Sequence, residues 1–165
     1  MEKVQNKQNK KIFNIYKGDI YNEFYIDNKK TLQEELCNTI ERVSNEDGVL
    51  QSATFEFKVS EGVQVDEKEF KDAYKNSFNT IKAVKKNECF RCLMYGLSLF
   101  LVGMILLFIN IYVVDTNNFV YEFFNVFTWV FLWGAIEVLL IEMVQIIIEI
   151  KKLKKILEAK TVIKK

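Results

Sequence analysis

Two uninterrupted apolar stretches constrain this chain more than anything else in it. Leu93 to Val114 is twenty-two residues without a charge. Phe124 to Ile141 carries one glutamate, Glu137, in an otherwise apolar run. A helix rises ~1.5 Å per residue, so each stretch with its flanks reaches across ~30 Å of hydrocarbon. A water-soluble fold of this size has no use for two such runs side by side, and the sequence predicts two transmembrane helices. Asp115-Thr116-Asn117-Asn118 supplies turn formers between them, so the expected arrangement is a hairpin.

Orientation follows from the basic residues. Lys82, Lys85, Lys86 and Arg91 precede the first run, and Lys151, Lys152, Lys154 and Lys155 follow the second. The intervening loop holds Asp115 and Glu122 and no lysine or arginine. Basic residues stay on the cytoplasmic side, which predicts both termini in the cytoplasm. Proline is absent and Lys, Asn and Ile are abundant, which suits an AT-rich bacterial genome, so the expected location is a bacterial inner membrane. Tyr112, Tyr121 and Trp129 are then expected toward the outer interface. The polar, lysine-rich start Met1 to Lys11 does not read as a secretory signal. Cys37, Cys89 and Cys92 are an odd number of cysteines in a segment read as cytosolic, so free thiols are expected.

The first ninety residues read as a small α+β module, a sheet with a helix on one face. Lys11 to Tyr16 and Tyr21 to Ile26 are rich in Ile, Phe and Tyr and flank Lys-Gly-Asp, which predicts two strands around a turn. Thr31, with Glu34 three residues later, predicts a helix start, and Leu32, Leu36, Ile40 and Val43 share a face. Val49, Gln51, Ala53, Phe55, Phe57 and Val59 alternate with Leu50, Ser52, Thr54, Glu56 and Lys58 as in a strand. Asp66 opens a second helix with Phe70, Tyr74, Ile81 and Val84 on one side, and no Gly or Pro interrupts it before Gly96. This predicts one rigid helix from the module into the first span. After the second span Met143, Ile146, Ile150, Leu153 and Leu157 recur at spacings of three and four, a coiled-coil period suited to self-association. The expected divisions are a flexible tail over 1–12, the cytosolic module over 13–66, a connecting helix over 67–92, transmembrane helices over 93–114 and 122–141 around an outer loop at 115–121, and a basic amphipathic helix over 142–165.

Several residues invite a functional reading beside a structural one. Glu137 lies about one turn inside the inner boundary of the second span, where a carboxylate costs roughly 2.5 kcal/mol or more unless it meets water or a partner. It either serves function, with Glu142 forming acidic rings at a pore mouth, or reaches the interface and pairs with Lys85 or Lys86. Gly96, Gly103 and Asn110 are seven residues apart on one stripe, which suits close helix packing or, alternatively, a pore lining. Lys71, Lys75, Lys82 and Lys86, with Lys68 beside them, share a face that could hold a phosphate-bearing ligand. The competing reading is a solvated face that also serves orientation or anionic lipid. Cys89-Phe90-Arg91-Cys92 has the spacing of half a zinc site, but the chain has no histidine and one further cysteine, so neither a metal site nor a cofactor is expected. No nucleophile elbow or phosphate loop is present, and no enzymatic activity is expected.

The second span, Trp129-Val-Phe-Leu-Trp133-Gly-Ala-Ile-Glu137-Val-Leu-Leu with its following Lys151 to Lys155 run, resembles the final segment of small bacterial two-span proteins with an N-terminal cytosolic α/β module. The layout is similar to membrane effectors of nucleotide-signalled anti-phage defence, the Hailong type among them. The resemblance implies a nucleotidyltransferase encoded nearby whose DNA oligomer keeps a membrane channel closed until infection removes it. The expected function is a homo-oligomeric ion channel gated through its cytosolic module by an anionic nucleotide or oligonucleotide and depolarising the cell. The alternative is a membrane-tethered protein-interaction module or accessory subunit.

Overall fold

A computed structural model describes residues 10–15, 20–21, 29–46, 54–59, 65–112 and 119–164. The elements in order are β1 (Lys10–Ile15), α1 (Glu34–Glu46), β2 (Thr54–Val59), α2 (Glu67–Tyr112), α3 (Phe119–Ile136), a π-helical turn (Glu137–Glu142), α4 (Met143–Glu158) and β3 (Lys160–Lys164). They form two compact units, one of Met1–Ala83 with Ile150–Lys165 and the other of Val84–Glu149.

The first unit is a three-stranded parallel sheet in the order β1-β2-β3. Parallel neighbours need long crossovers, and the connection from β1 to β2 contains α1. The connection from β2 to β3 contains every long helix of the chain. Strand alternation sends Phe13, Ile15, Phe55, Phe57, Val59 and Ile163 to one face. Against them pack Cys37 and Ile40 of α1, Phe70, Ala73, Tyr74 and Phe78 of α2, and Leu153 and Ile156 of α4. Rings tie the layers together: Phe13 stacks on Phe57 at 5.2 Å, Phe57 tilts against Phe70 at 4.9 Å, and Tyr74 against Phe78 at 4.8 Å.

The small sheet with a helix on one face is present, but its wiring differs from the sequence expectation. Among the described residues β1 pairs with β2, to which it runs parallel, with Phe13 opposite Phe57. Of the expected second strand, Tyr21 makes an isolated antiparallel bridge to Leu32, and residues 22–28 lie outside the described residues. Thr31 does not cap α1. The first helical bond runs from the Cys37 N–H to the Gln33 carbonyl, and the Thr31 hydroxyl is buried with no hydrogen-bond partner among the described residues. The segment before α1 is held instead by α2: the Leu32 N–H donates to Ser77 Oγ at 2.7 Å, and Asn76 Nδ2 donates to the Lys30 carbonyl at 3.3 Å. Of the long predicted strand only Thr54–Val59 is described; residues 49–53 lie outside.

Asp66 does open α2: its carboxylate accepts from the Lys68 N–H at 3.3 Å, and its carbonyl accepts from the Phe70 N–H at 3.0 Å. α2 then continues for 46 residues through Gly96. Its core stripe is Phe70, Ala73, Tyr74, Ser77 and Phe78, whereas Val84, expected on the same side, is exposed.

The largest departure is at the C-terminal end. The basic helix stops at Glu158, and Lys160–Lys164 becomes a strand pairing with β2, Thr54 opposite Lys160 and Lys58 opposite Lys164. Leu153, Ile156 and Leu157 are therefore committed to the core of their own sheet. Tyr74 fixes that end of α4 by donating its hydroxyl to the Ile156 carbonyl at 2.8 Å. Two of the five positions of the expected coiled-coil seam, Leu153 and Leu157, are thus used within the chain. The helix from Trp129 to Leu157 is also not one continuous α-helix, because the π turn breaks its period at Glu137–Glu142.

In the second unit α2 and α3 run antiparallel, with Gly103 against Leu132 and Gly96 against Leu139. Cys92 Sγ lies 3.6 Å from the Val138 carbonyl, which also accepts the π-type bond from the Met143 N–H. α2 and the helical stretch Phe119–Glu158 are each long and apolar enough to cross a membrane, and only 11 % of the most apolar window in each is buried.

Candidate functional site

The residues singled out from sequence do not converge on one site. Gly96 and Gly103 are helix-packing positions. A β-carbon at Gly96 would fall 2.6 Å from both Cγ and Cδ2 of Leu139, and one at Gly103 would fall 2.7 Å from Leu132 Cδ2 and 3.3 Å from its backbone nitrogen. Of the two readings of the stripe, close packing is the one these contacts describe. Asn110 shares the stripe and is 3 % exposed, and its Oδ1 accepts no hydrogen bond among the described residues.

The lysine stripe is a real helical face but a partly neutralised one. Within the first unit Lys68, Lys71, Lys75 and Lys82 of α2 fall in a sector of roughly 60°, alongside the core stripe. Lys71 is ion-paired with Glu67 one turn earlier, and Lys30 with Glu69. Lys86 belongs to the second unit and is exposed. Its neighbour Lys85 bridges Glu88 at 3.0 Å and Glu149 at 3.1 Å, and those two carboxylates raise its pKa above the usual lysine value. Lys85 is therefore spoken for, and it does not reach Glu137.

The outer face of the sheet holds a buried carboxylate. Glu56, which alternates with Phe55 and Phe57 along its strand, is 3 % exposed and pairs with Lys164 of β3 at 3.4 Å. The central position of β2 and the return of β3 bury it. Cys37 is buried beside Ser77, and burial pushes its thiol up to about 11. Burial likewise raises Tyr74 far above the ordinary phenol value. Neither group is available for nucleophilic chemistry near neutral pH. No group of three metal-ligating side chains occurs among the described residues.

Glu137 and Glu142 open and close the π turn, and both side chains are exposed. Among the described residues neither is in an ion pair. Trp129, Val130, Trp133, Gly134 and Glu137 line an open groove of about 520 Å³. Sequence reading picked out the glutamate and missed the groove. The signal was the spacing of Trp129, Trp133 and Glu137, each four residues from the next, which sets two indoles and a carboxylate on one helix face.

Comparison with protein-family models, with curated proteins and with solved structures returns no match for this chain.

Proposed function

We propose that this protein is a homo-oligomeric ion channel of the bacterial inner membrane, with both termini cytoplasmic, gated by its sheet-containing unit. The observation that carries the reading is Glu137, an exposed carboxylate with no ion pair among the described residues, directly after the exposed apolar helix α3. Such a group is costly against lipid tails and favourable against water or a cation. In the channel reading Glu137 and Glu142 line the inner mouth and select cations. Two antiparallel helices cannot enclose a pore, so several copies must surround it. Both chain crossings between the units are helical, through Ala83–Val84 in α2 and Glu149–Ile150 in α4, which supports coupling of the sheet unit to the pore. Lys68, Lys75, Lys82 and Lys86 make no ion pair among the described residues, and this supports an anionic regulator such as a nucleotide or DNA oligomer. Depolarisation in anti-phage defence, with a nucleotidyltransferase encoded nearby, is the setting the effector resemblance supplies.

Conductance of the purified chain in planar bilayers tests this. Glu137→Gln together with Glu142→Gln should lower cation-over-anion selectivity; unchanged conductance and selectivity would remove both residues from the pore. One observation favours a second reading, a membrane-tethered interaction module: Gly96 and Gly103 of the small-residue stripe and Leu153 and Leu157 of the heptad seam are already used inside the chain. In that case an unrelated hairpin substituted for residues 93–141 retains activity.

A further inference from the structure

The two tryptophans of the chain, Trp129 and Trp133, stand one helical turn apart on α3 and line the open groove together with Val130 and Glu137. Gly134, next to Trp133 in sequence, lines it as well. That glycine has no other evident use. A β-carbon there would meet only Leu99 Cδ1 at 3.7 Å, an ordinary contact, so helix pairing does not require it. In a helix interior glycine is about 1 kcal/mol less favourable than alanine, and the open space beside the indoles is what the position gains in return.

The lining selects a ligand class. Four of its five residues are apolar or aromatic, and the remaining one is an anion. A neutral apolar molecule would strip water from the carboxylate without replacing it. An anion would be repelled. A small metal cation holds its water too strongly for indole faces to displace it. An alkylated ammonium fits each part: its charge is spread over a methylated surface, that surface lies on the electron-rich faces of tryptophan, and the carboxylate balances it.

We propose that the groove of Trp129, Trp133, Gly134 and Glu137 binds organic ammonium cations, with Glu137 as counter-ion and the indoles as its aromatic lining. Binding stands on the groove alone. Its consequence, block of cation flow by an ammonium lodged at Glu137, rests on the channel reading.

The chain carries its own reporter, because both of its tryptophans line the groove. The full protein in a nonionic detergent is titrated with choline, with dimethylbutanol as its uncharged carbon isostere, and with potassium at equal ionic strength, while indole emission is followed. Choline should give a saturable change that the isostere and potassium do not. Glu137→Gln and Trp133→Leu should each weaken it about tenfold with circular dichroism unchanged, Trp129 remaining as the probe in the second variant. Equal responses to choline and its isostere, or wild-type affinity in Glu137→Gln, would overturn the site. So would an emission that ignores choline and changes only when the oligomer dissociates, because a second copy then fills the groove. Choline binding by a protein that carries no current would uphold the site and refute the channel instead.

Discussion

Alanine at Gly96 and Gly103 gives a test whose sign depends on the packing of α2 against α3. In a helix that touches nothing, alanine is favoured over glycine by about 1 kcal/mol. Here the added methyl at Gly96 would lie 2.6 Å from Leu139 Cγ as well as Cδ2, and 3.2 Å from Val138 Cγ1. A Cδ methyl can swing aside by rotation about χ2, but Cγ moves only by a change of χ1 that carries the whole branched end of Leu139 to another rotamer, or by a shift of the backbone. Overpacking of this kind costs about 1–3 kcal/mol, so Gly96→Ala should be neutral to destabilising by roughly 2 kcal/mol net. At Gly103 the obstruction includes the Leu132 backbone nitrogen at 3.3 Å, and the loss should be the larger of the two. Gly134→Ala, with only Leu99 at 3.7 Å, should stabilise by about 1 kcal/mol and serves as the internal control. The decisive arm is a cycle with Leu139→Ala. With the leucine removed, Gly96→Ala should turn favourable, giving a coupling of about 1–3 kcal/mol between the two positions. Equilibrium unfolding in mixed micelles, followed by circular dichroism, reads each corner. If Gly96→Ala stabilises by about 1 kcal/mol in both backgrounds, the helices do not meet at these glycines and the stripe returns to the pore-lining reading.

Three further outcomes are expected. Ile156→Ala should cost the sheet unit about 2–5 kcal/mol although it lies in the segment after the second apolar helix, and Tyr74→Phe about 1 kcal/mol through the lost bond to the Ile156 carbonyl; chemical denaturation of the purified protein checks both. Cys37, with its thiol raised from 9.0 to about 11, should react with a maleimide at neutral pH about 100-fold more slowly than an ordinary thiol. The same shift makes stability pH-dependent: the folded thiol holds its proton more tightly than the unfolded one, so the contribution, roughly 2–3 kcal/mol, is complete below pH 9 and lost as pH rises through 11; a Cys37→Ala control should remove the fall between pH 9 and 10 and leave the one that the raised Tyr74 phenol adds above pH 10. Replacing Lys75 and Lys82 with glutamine should flatten the salt dependence of binding to a polyphosphate or DNA oligomer by about two units of slope at most, measured by fluorescence anisotropy; an unchanged slope would return that face to solvent.

Much of the helical architecture was legible in the sequence because its signals are local. Asp66 as a cap, the stripe of Phe70 and Tyr74 and the uncharged run after Leu93 each declare themselves within one or two turns. The sheet was legible as strands and illegible as a sheet. Phe55 and Phe57 alternate plainly, yet nothing near them names Lys160–Lys164 as their neighbours, because that pairing joins residues about a hundred positions apart. Lys-Thr-Val-Ile-Lys is also short and lysine-rich, and the basic helix before it hides its two-residue period. The heptad seam misled for a related reason: Leu153 and Leu157 follow a helical period whether the partner is a second copy or the chain's own strands. Of the candidate site, the spacing of Trp129, Trp133 and Glu137 was readable, while the open space at Gly134 needed the position of Leu99.

Because β3 follows both apolar helices in the chain, the ribosome makes the third strand of the sheet only after those helices have been synthesised. Until then β2 has an open edge and Phe57 lacks the layer that Leu153 and Ile156 provide. The sheet unit therefore matures last, by a long-range pairing that waits for the whole helical stretch Phe119–Glu158 to be made. A chain interrupted anywhere before Lys160 leaves β2 with an unpaired edge, so the closed sheet is the mark of a chain made through to its last strand.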